Sequence, residues 1–158
     1  MSRLERIALF AEIISAVAVV ISIVYLAQQI RENTAAVKFD TSQGLLELQF
    51  EQDAWDQDLT HVALLQRGTA DPESLSDAEW ASLSRRYALK YNVWALAYIG
   101  YRKGTLDLDD WEGWNRSYAG TICKAGYQRF WEERKHWWTD NFQRIVEGHA
   151  AACPVAGE

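Results

Sequence analysis

The chain has 158 residues, a formal net charge of −6 and an aromatic content of 13%, with eight tryptophans. The negative charge excludes double-stranded nucleic acid as an expected partner, because phosphate backbones are bound by basic surfaces. About 130 residues follow the apolar N-terminal segment, enough for one domain. Because β-branched runs are scarce beyond that segment, we expect an all-α fold.

The first predicted element is a transmembrane helix over residues 7–30, after a short tail at 1–6. Glu12 is the only charge among the twenty-one residues from 7 to 27, which is long enough to cross a bilayer. A secretory signal would have a shorter apolar region and a cleavage site of small residues, whereas this run continues into residues 28–31 without a break. We therefore expect a retained anchor rather than a signal peptide.

Small residues recur along one stripe of this helix, where a neighbouring helix could approach closely. The stripe is either a packing surface or the ordinary tolerance of membrane helices for small residues. Glu12 borders it and has three interpretations: snorkelling toward the interface beside Arg6, pairing within an oligomer or another subunit, or, least favoured, ion conduction. The stripe consists of Ala8, Ala11, Ser15, Ala18 and Ser22.

Membrane orientation is weakly encoded, because two basic residues flank each end of the span: Arg3 and Arg6 on one side, Arg31 and Lys38 on the other. Cys123 and Cys153 lie thirty residues apart, and the second falls in an expected tail. This spacing predicts two free thiols rather than a disulfide framework, which suits a reducing compartment. We therefore expect a cytoplasmic helical domain on the inner (cytoplasmic) membrane.

Beyond the anchor we predict a small helical bundle over residues 31–149 and a flexible tail at 150–158. One or two helices are expected up to residue 66, followed by a loop at 68–72. Ser76 and Glu79 have the spacing of a capping box, which predicts a helix from Asp77 to the Lys103–Gly104 pair.

Two further helical stretches complete the predicted bundle. Asp109 and Glu112 suggest a second capping box and a helix over residues 110–124. Gly126 is expected to break this pattern, and an aromatic stripe then predicts another helix from Tyr127 to about Gly148.

The helix beginning at Asp77 carries one ring-bearing stripe, which is either the core of the bundle or a face for an interface or a ligand. Buried phenol and indole groups need polar partners, so this many rings suggests a partly wet surface and favours assembly. The residues are Trp80, Tyr87, Tyr91, Trp94, Tyr98 and Tyr101.

Charge is segregated along the domain. Residues 47–79 contain nine acids and one base, whereas residues 80–106 contain five bases and no acid. The simplest interpretation is attraction between neighbouring helices. The alternative is an anion-binding site for a small molecule or lipid head group at Arg85, Arg86 and Lys90.

Catalytic and metal sites are not expected. Two carboxylate-x-x-histidine pairs, Asp58 with His61 and Glu133 with His136, resemble parts of di-iron sites, but they face away from the apolar stripes. No serine or cysteine has the surroundings of an activated nucleophile. We therefore predict no enzyme activity, no metal and no cofactor.

Both ends of the chain resemble a broad group of uncharacterised bacterial single-pass membrane-anchored small helical proteins. The resemblance rests on residues 25–34, Tyr-Leu-Ala-Gln-Gln-Ile-Arg-Glu-Asn-Thr, and on residues 130–136, Phe-Trp-Glu-Glu-Arg-Lys-His. It implies one span, a small helical domain and a bacterial source. No activity is attached to the group, so it assigns no functional residues.

These observations predict a non-enzymatic, membrane-anchored protein that acts by association. It would be a homo-oligomer or an accessory subunit of a larger membrane complex, with membrane lipid and other membrane proteins as partners. The alternative is a membrane-anchored sensor whose helical domain binds an anionic small molecule or lipid head group.

Overall fold

The computed structural model describes residues 3–55 and 58–154, except the side chains of residues 5, 9 and 52–55. Within these ranges the chain forms helices and no strand, which confirms the all-α prediction. The α-helices are α1 (Arg3–Trp55), α2 (Leu59–Ala70), α3 (Asp77–Lys103), α4 (Leu108–Ile122), α5 (Ala125–Arg134) and α6 (Asp140–Ala151); 3₁₀ turns lie at Pro72–Ser74 and Lys135–Trp137.

The chain divides into two units, with the boundary between Phe39 and Asp40 inside α1. We call the first the N-terminal unit and the second the helical domain. The N-terminal unit is a helix whose described large apolar side chains are all exposed. It contains neither glycine nor proline, so nothing in its sequence interrupts the backbone hydrogen bonds.

The boundaries of α3 confirm the sequence prediction. The Ser76 N–H donates to Glu79 Oε2 at 2.9 Å, and the Glu79 N–H donates to Ser76 Oγ at 3.4 Å, which completes the capping box. The backbone N–H of Ser76 lowers the pKa of Glu79 most, followed by the Ser76 hydroxyl, which donates to Glu79 Oε2 at 2.8 Å. Gly104 ends the helix in the left-handed conformation at φ 74°, where glycine is unstrained.

Two glycines predicted to interrupt helices lie inside them. Gly68 belongs to α2, so the loop after that helix begins at Asp71. Gly126 belongs to α5, and the interruption between α4 and α5 lies earlier, at Cys123 and Lys124. A Cβ on Gly126 would lie 2.2 Å from the carbonyl oxygen of Gly68. These glycines therefore serve the close crossing of α2 and α5 rather than a turn.

The start of α4 also differs from prediction. Asp107 is its N-cap and makes no capping hydrogen bond through its side chain, so the box expected from Asp109 and Glu112 does not form. The final predicted helix is divided in two by the turn at Lys135–Trp137.

The core of the helical domain is built largely from aromatic rings around α3. Tyr91 lies among several of them, stacked on Trp131 with ring centroids 5.0 Å apart and on Phe130 at 5.7 Å. Trp94 packs edge-to-face against Phe142 at 5.5 Å. Such pairs contribute about 0.5–1.5 kcal/mol each beyond the burial of their area.

A disulfide joins Cys123, just after α4, to Cys153, just after α6. The prediction of two free thiols is therefore wrong. Its physical reason is that α4 packs against α6, which brings two cysteines that are thirty residues apart to a Cα separation of 5.3 Å. Ala150 and Ala151, at the start of the predicted flexible tail, belong to α6, and residues 155–158 of that tail lie outside the described residues.

Candidate functional surfaces

The apolar segment of α1 is the first candidate surface. It is the one helix, among those the structure describes, that is long and apolar enough to cross a membrane, and none of that stretch is buried by the protein. A helix that is apolar all round is stable where it is buried in lipid or in protein.

The stripe of small residues and Glu12 lie on the exposed surface of the N-terminal unit. Within the stripe, the Ser22 hydroxyl donates to the carbonyl oxygen of Ala18 at 2.8 Å. This hydroxyl is therefore satisfied by its own helix and does not need a second helix as an acceptor. Packing along the stripe and the role of Glu12 remain predictions.

The aromatic stripe of α3 lies mainly in the core. Tyr87, Tyr91 and Trp94 are at most 2% exposed, and Trp80 and Tyr98 are half-buried against the same core. The last member, Tyr101, is exposed at the edge and stacks on Trp111 with centroids 5.9 Å apart.

The buried polar atoms of this stripe have hydrogen-bond partners within the helical domain. Tyr91 donates its hydroxyl to the carbonyl oxygen of Tyr127 at 3.2 Å, and the Trp94 indole donates to Asn115 Oδ1 at 3.0 Å. Burial raises the pKa of Tyr91 well above its ordinary value. A wet interface is therefore not needed to explain these hydroxyl and indole groups.

The three predicted anion-binding residues do not converge. Arg85 is exposed, Arg86 is 3% exposed and buried in the domain, and Lys90 is half-buried. Adjacent helical residues point about 100° apart, so Arg85 and Arg86 occupy different faces of α3. Of the three, Lys90 alone lines a cavity of notable size within the described residues.

That cavity has a volume of about 610 Å³ and lies between α2, α3 and the junction of α4 with α5. We call it the lysine cavity, because Lys90 and Lys124 line it. Its polar wall includes Thr69 and Thr121, and its apolar wall includes Leu65 and Tyr127. Sequence reasoning missed Lys124, because it lies 34 positions beyond Lys90 and follows a different helix.

Sequence reasoning also missed a group of contacts centred on Arg129 of α5. We call Arg129, Trp80 and Glu133 the arginine cluster. The Arg129 guanidinium lies 4.2 Å from the centroid of the Trp80 ring and donates from Nε to Glu133 at 3.0 Å. The Trp80 indole donates to the same carboxylate at 3.2 Å, while Arg129 also donates to the carbonyl oxygen of Pro72 at 2.9 Å. Glu133 thus has a structural role that fixes α5 against α3.

The outer face of α3 carries exposed aliphatic residues. Leu89, Leu96 and Ile99 are 51%, 45% and 43% exposed, although Val93, lying between them in sequence, is buried. A groove of about 230 Å³ lies between Leu89 and Leu96 of α3 and Leu48 of α1. We call Leu89, Leu96, Ile99 and Leu48 the aliphatic face.

The carboxylate-histidine pairs do not form a metal centre within the described residues, where no group of three or more potential ligands converges. His136 is exposed, and Glu133 belongs to the arginine cluster. Comparison of the chain with protein-family models, with curated proteins and with solved structures finds no match.

Proposed function

We propose that this chain is a single-pass, membrane-anchored, non-enzymatic protein that acts by association, as a homo-oligomer or as an accessory subunit of a larger membrane complex. The observation that carries the proposal is the long N-terminal helix whose most apolar stretch is not buried by the rest of the protein. The helical domain, a small bundle in this proposal, would be held at a membrane surface. The resemblance of both chain ends to bacterial membrane-anchored proteins supports a bacterial cytoplasmic membrane.

Contacts within the bilayer would use the small-residue stripe. Small side chains allow two helix backbones to approach closely, and van der Waals packing drives helix association where lipid removes the hydrophobic driving force. The internal hydrogen bond of Ser22 supports this, because it satisfies the Ser22 hydroxyl proton within its own helix.

Contacts outside the bilayer would use the aliphatic face rather than the aromatic stripe. The aromatic rings already fill the core, whereas Leu89, Leu96 and Ile99 remain about half-exposed beside a groove. Exposed apolar residues that cluster on one face are typical of protein interaction surfaces. Glu51 is the one charged residue among those described that line this groove, so a partner would meet it with a polar or basic group.

The disulfide supports an orientation opposite to the one expected from free thiols. Disulfides persist in oxidising compartments and are rare where thioredoxin and glutathione keep thiols reduced. We therefore propose that the helical domain lies on the outer side of the cytoplasmic membrane, with Arg3 and Arg6 inside. Those two arginines are compatible with the positive-inside rule, although Arg31 and Lys38 balance them.

Native mass spectrometry of the tagged protein, extracted from its own membranes in mild detergent, tests association. We expect a discrete homo-oligomer or a stoichiometric complex with another membrane protein. Ala18→Leu should disrupt it because the larger side chain separates the backbones, whereas Ala16→Leu adds the same volume on another face and should not. A monomeric wild type, or equal effects of the two variants, would refute association through the stripe.

Orientation is tested with single introduced cysteines in a background of Cys123→Ser and Cys153→Ser. In intact cells a membrane-impermeant maleimide should label Arg85→Cys, which is exposed on the helical domain, and should not label Arg3→Cys. The reverse pattern would place the domain in the cytoplasm and overturn the proposed orientation.

A further inference from the structure

Two lysines from different parts of the fold line the lysine cavity, Lys90 from α3 and Lys124 from the segment between α4 and α5. Two cations at one concave site favour an anion there.

The two cations have different surroundings. Lys90 is half-buried, and its Nζ lies 5.9 Å from the centroid of the Tyr118 ring, a contact that restrains the side chain. Lys124 immediately precedes α5, and no side chain caps that helix. The first turn of α5 therefore adds a favourable potential for negative charge on the side of the cavity formed by Ala125.

The remaining walls of the cavity indicate what else the ligand contains besides an anionic group. Leu65 and the Tyr127 ring form an apolar side, and the hydroxyl of Thr69 lies at hydrogen-bond distance from the Tyr87 hydroxyl, at 3.2 Å. A volume of about 610 Å³ is within the range of small-molecule sites, and far larger than an inorganic ion requires. The mixture of cations and apolar surface fits an organic anion better than a bare one.

We infer that the lysine cavity binds a small organic anion, a carboxylate or phosphomonoester with an apolar portion. Lys90 and Lys124 hold the anionic group, and Leu65 and Tyr127 contact the apolar portion. This inference goes beyond association and does not depend on it, because every residue involved lies in one copy of the helical domain.

Phenyl phosphate is a suitable probe, titrated by isothermal calorimetry into the full-length protein in phosphatidylcholine nanodiscs. We expect saturable binding, no binding of phenol, and a loss of affinity of about fivefold or more in Lys90→Gln and in Lys124→Gln, because each removes a charged donor. Lys103→Gln removes the same charge from the exposed end of α3, outside the cavity, and should change the affinity by less than about twofold.

Absence of binding at about 10 mM phenyl phosphate, or an equal loss of affinity in the Lys103 variant, would overturn the inference. Circular dichroism of each variant checks folding, and the two cavity lysines provide independent tests if one variant is unstable. Nanodiscs with phosphatidylglycerol distinguish the source of the anion. We expect no competition; competition that is lost in both cavity variants would assign the site to a lipid head group instead of a soluble ligand.

Discussion

The crossing of α2 and α5 makes a sharp prediction for Gly126→Ala. The added Cβ would lie 2.2 Å from the carbonyl oxygen of Gly68 and 2.5 Å from the Tyr87 hydroxyl, whereas ordinary van der Waals contact begins at 3.4 Å. Gly68 cannot retreat freely, since its own α-carbon faces Leu83 and Leu75 so closely that a Cβ there would lie 2.2 Å and 2.8 Å from their methyl groups. The substitution must therefore push the two helices apart by about 1 Å.

The cost follows from the kind of obstacle. Overpacking a core typically costs about 1–3 kcal/mol, and the upper end applies here because one obstacle is backbone. The higher helix propensity of alanine than of glycine offsets about 0.5–1 kcal/mol of this loss of stability. We expect Gly126→Ala to reduce the free energy of unfolding by about 2 kcal/mol or more, which corresponds to a decrease in Tm of about 10 °C for a domain of this size.

Gly120→Ala is the matched control. It makes the same change inside α4, where a Cβ would meet nothing within 4 Å, so it should stabilise the protein by about 0.5–1 kcal/mol. Thermal unfolding of the full-length protein in detergent, followed by near-ultraviolet circular dichroism of the tryptophans, measures both variants. Equal Tm values for the two variants would refute the close crossing.

Three further predictions concern the core and the disulfide. In urea unfolding, Trp94→Phe should lower the free energy of unfolding by about 1 kcal/mol more than Trp131→Phe does. Both rings are buried, but among the described residues the Trp94 indole donates a hydrogen bond and the Trp131 indole has no acceptor. Equal decreases would contradict this. Burial raises the pKa of Tyr91 in the folded state, so its stabilising contribution is complete below the ordinary value of 10.0 and is lost at higher pH; phenolate absorbance for this residue should appear only together with unfolding, and ionisation in a folded protein would contradict its burial. Replacing Cys123 and Cys153 together by serine should lower the free energy of unfolding by about 3–4 kcal/mol, as expected for a closed loop of this length, and a reducing agent should reproduce the decrease in the wild type but not in the variant.

The parts of the fold that sequence reasoning predicted are those encoded by nearby residues. The helix α3 begins after Ser76 and ends at Gly104 because a capping box and a left-handed glycine act within a few residues of each end. Its aromatic stripe has helical spacing, which placed the six rings on one side of the helix; the sequence left open whether that side was core or interface, and burial shows that most of it is core. The same locality explains why the all-α class was predictable.

Features that depend on contacts between distant segments were missed. Gly68 and Gly126 look like turn residues in the sequence, and only the crossing of α2 with α5 reveals why glycine is required there. Cys123 and Cys153 pair because α4 and α6 pack together, which no local signal specifies. Lys124 and Lys90 also come from distant parts of the sequence and meet only at the cavity, so the sequence identified one of the two cations.

The geometry of α3 separates the two proposed activities. At 100° per residue, Leu96 and Ile99 lie within about 80° of Leu89, whereas Lys90 lies about 100° away on the opposite side. A ligand in the lysine cavity and a partner on the aliphatic face would thus meet different sides of one rigid helix, without a shared contact. The free-energy changes caused by substitutions on the two sides should therefore add, unless one state of the domain repositions α3. Since the rings of α3 already pack in a close core, such a movement would require that core to repack, and the simplest expectation is that ligand binding leaves assembly unchanged.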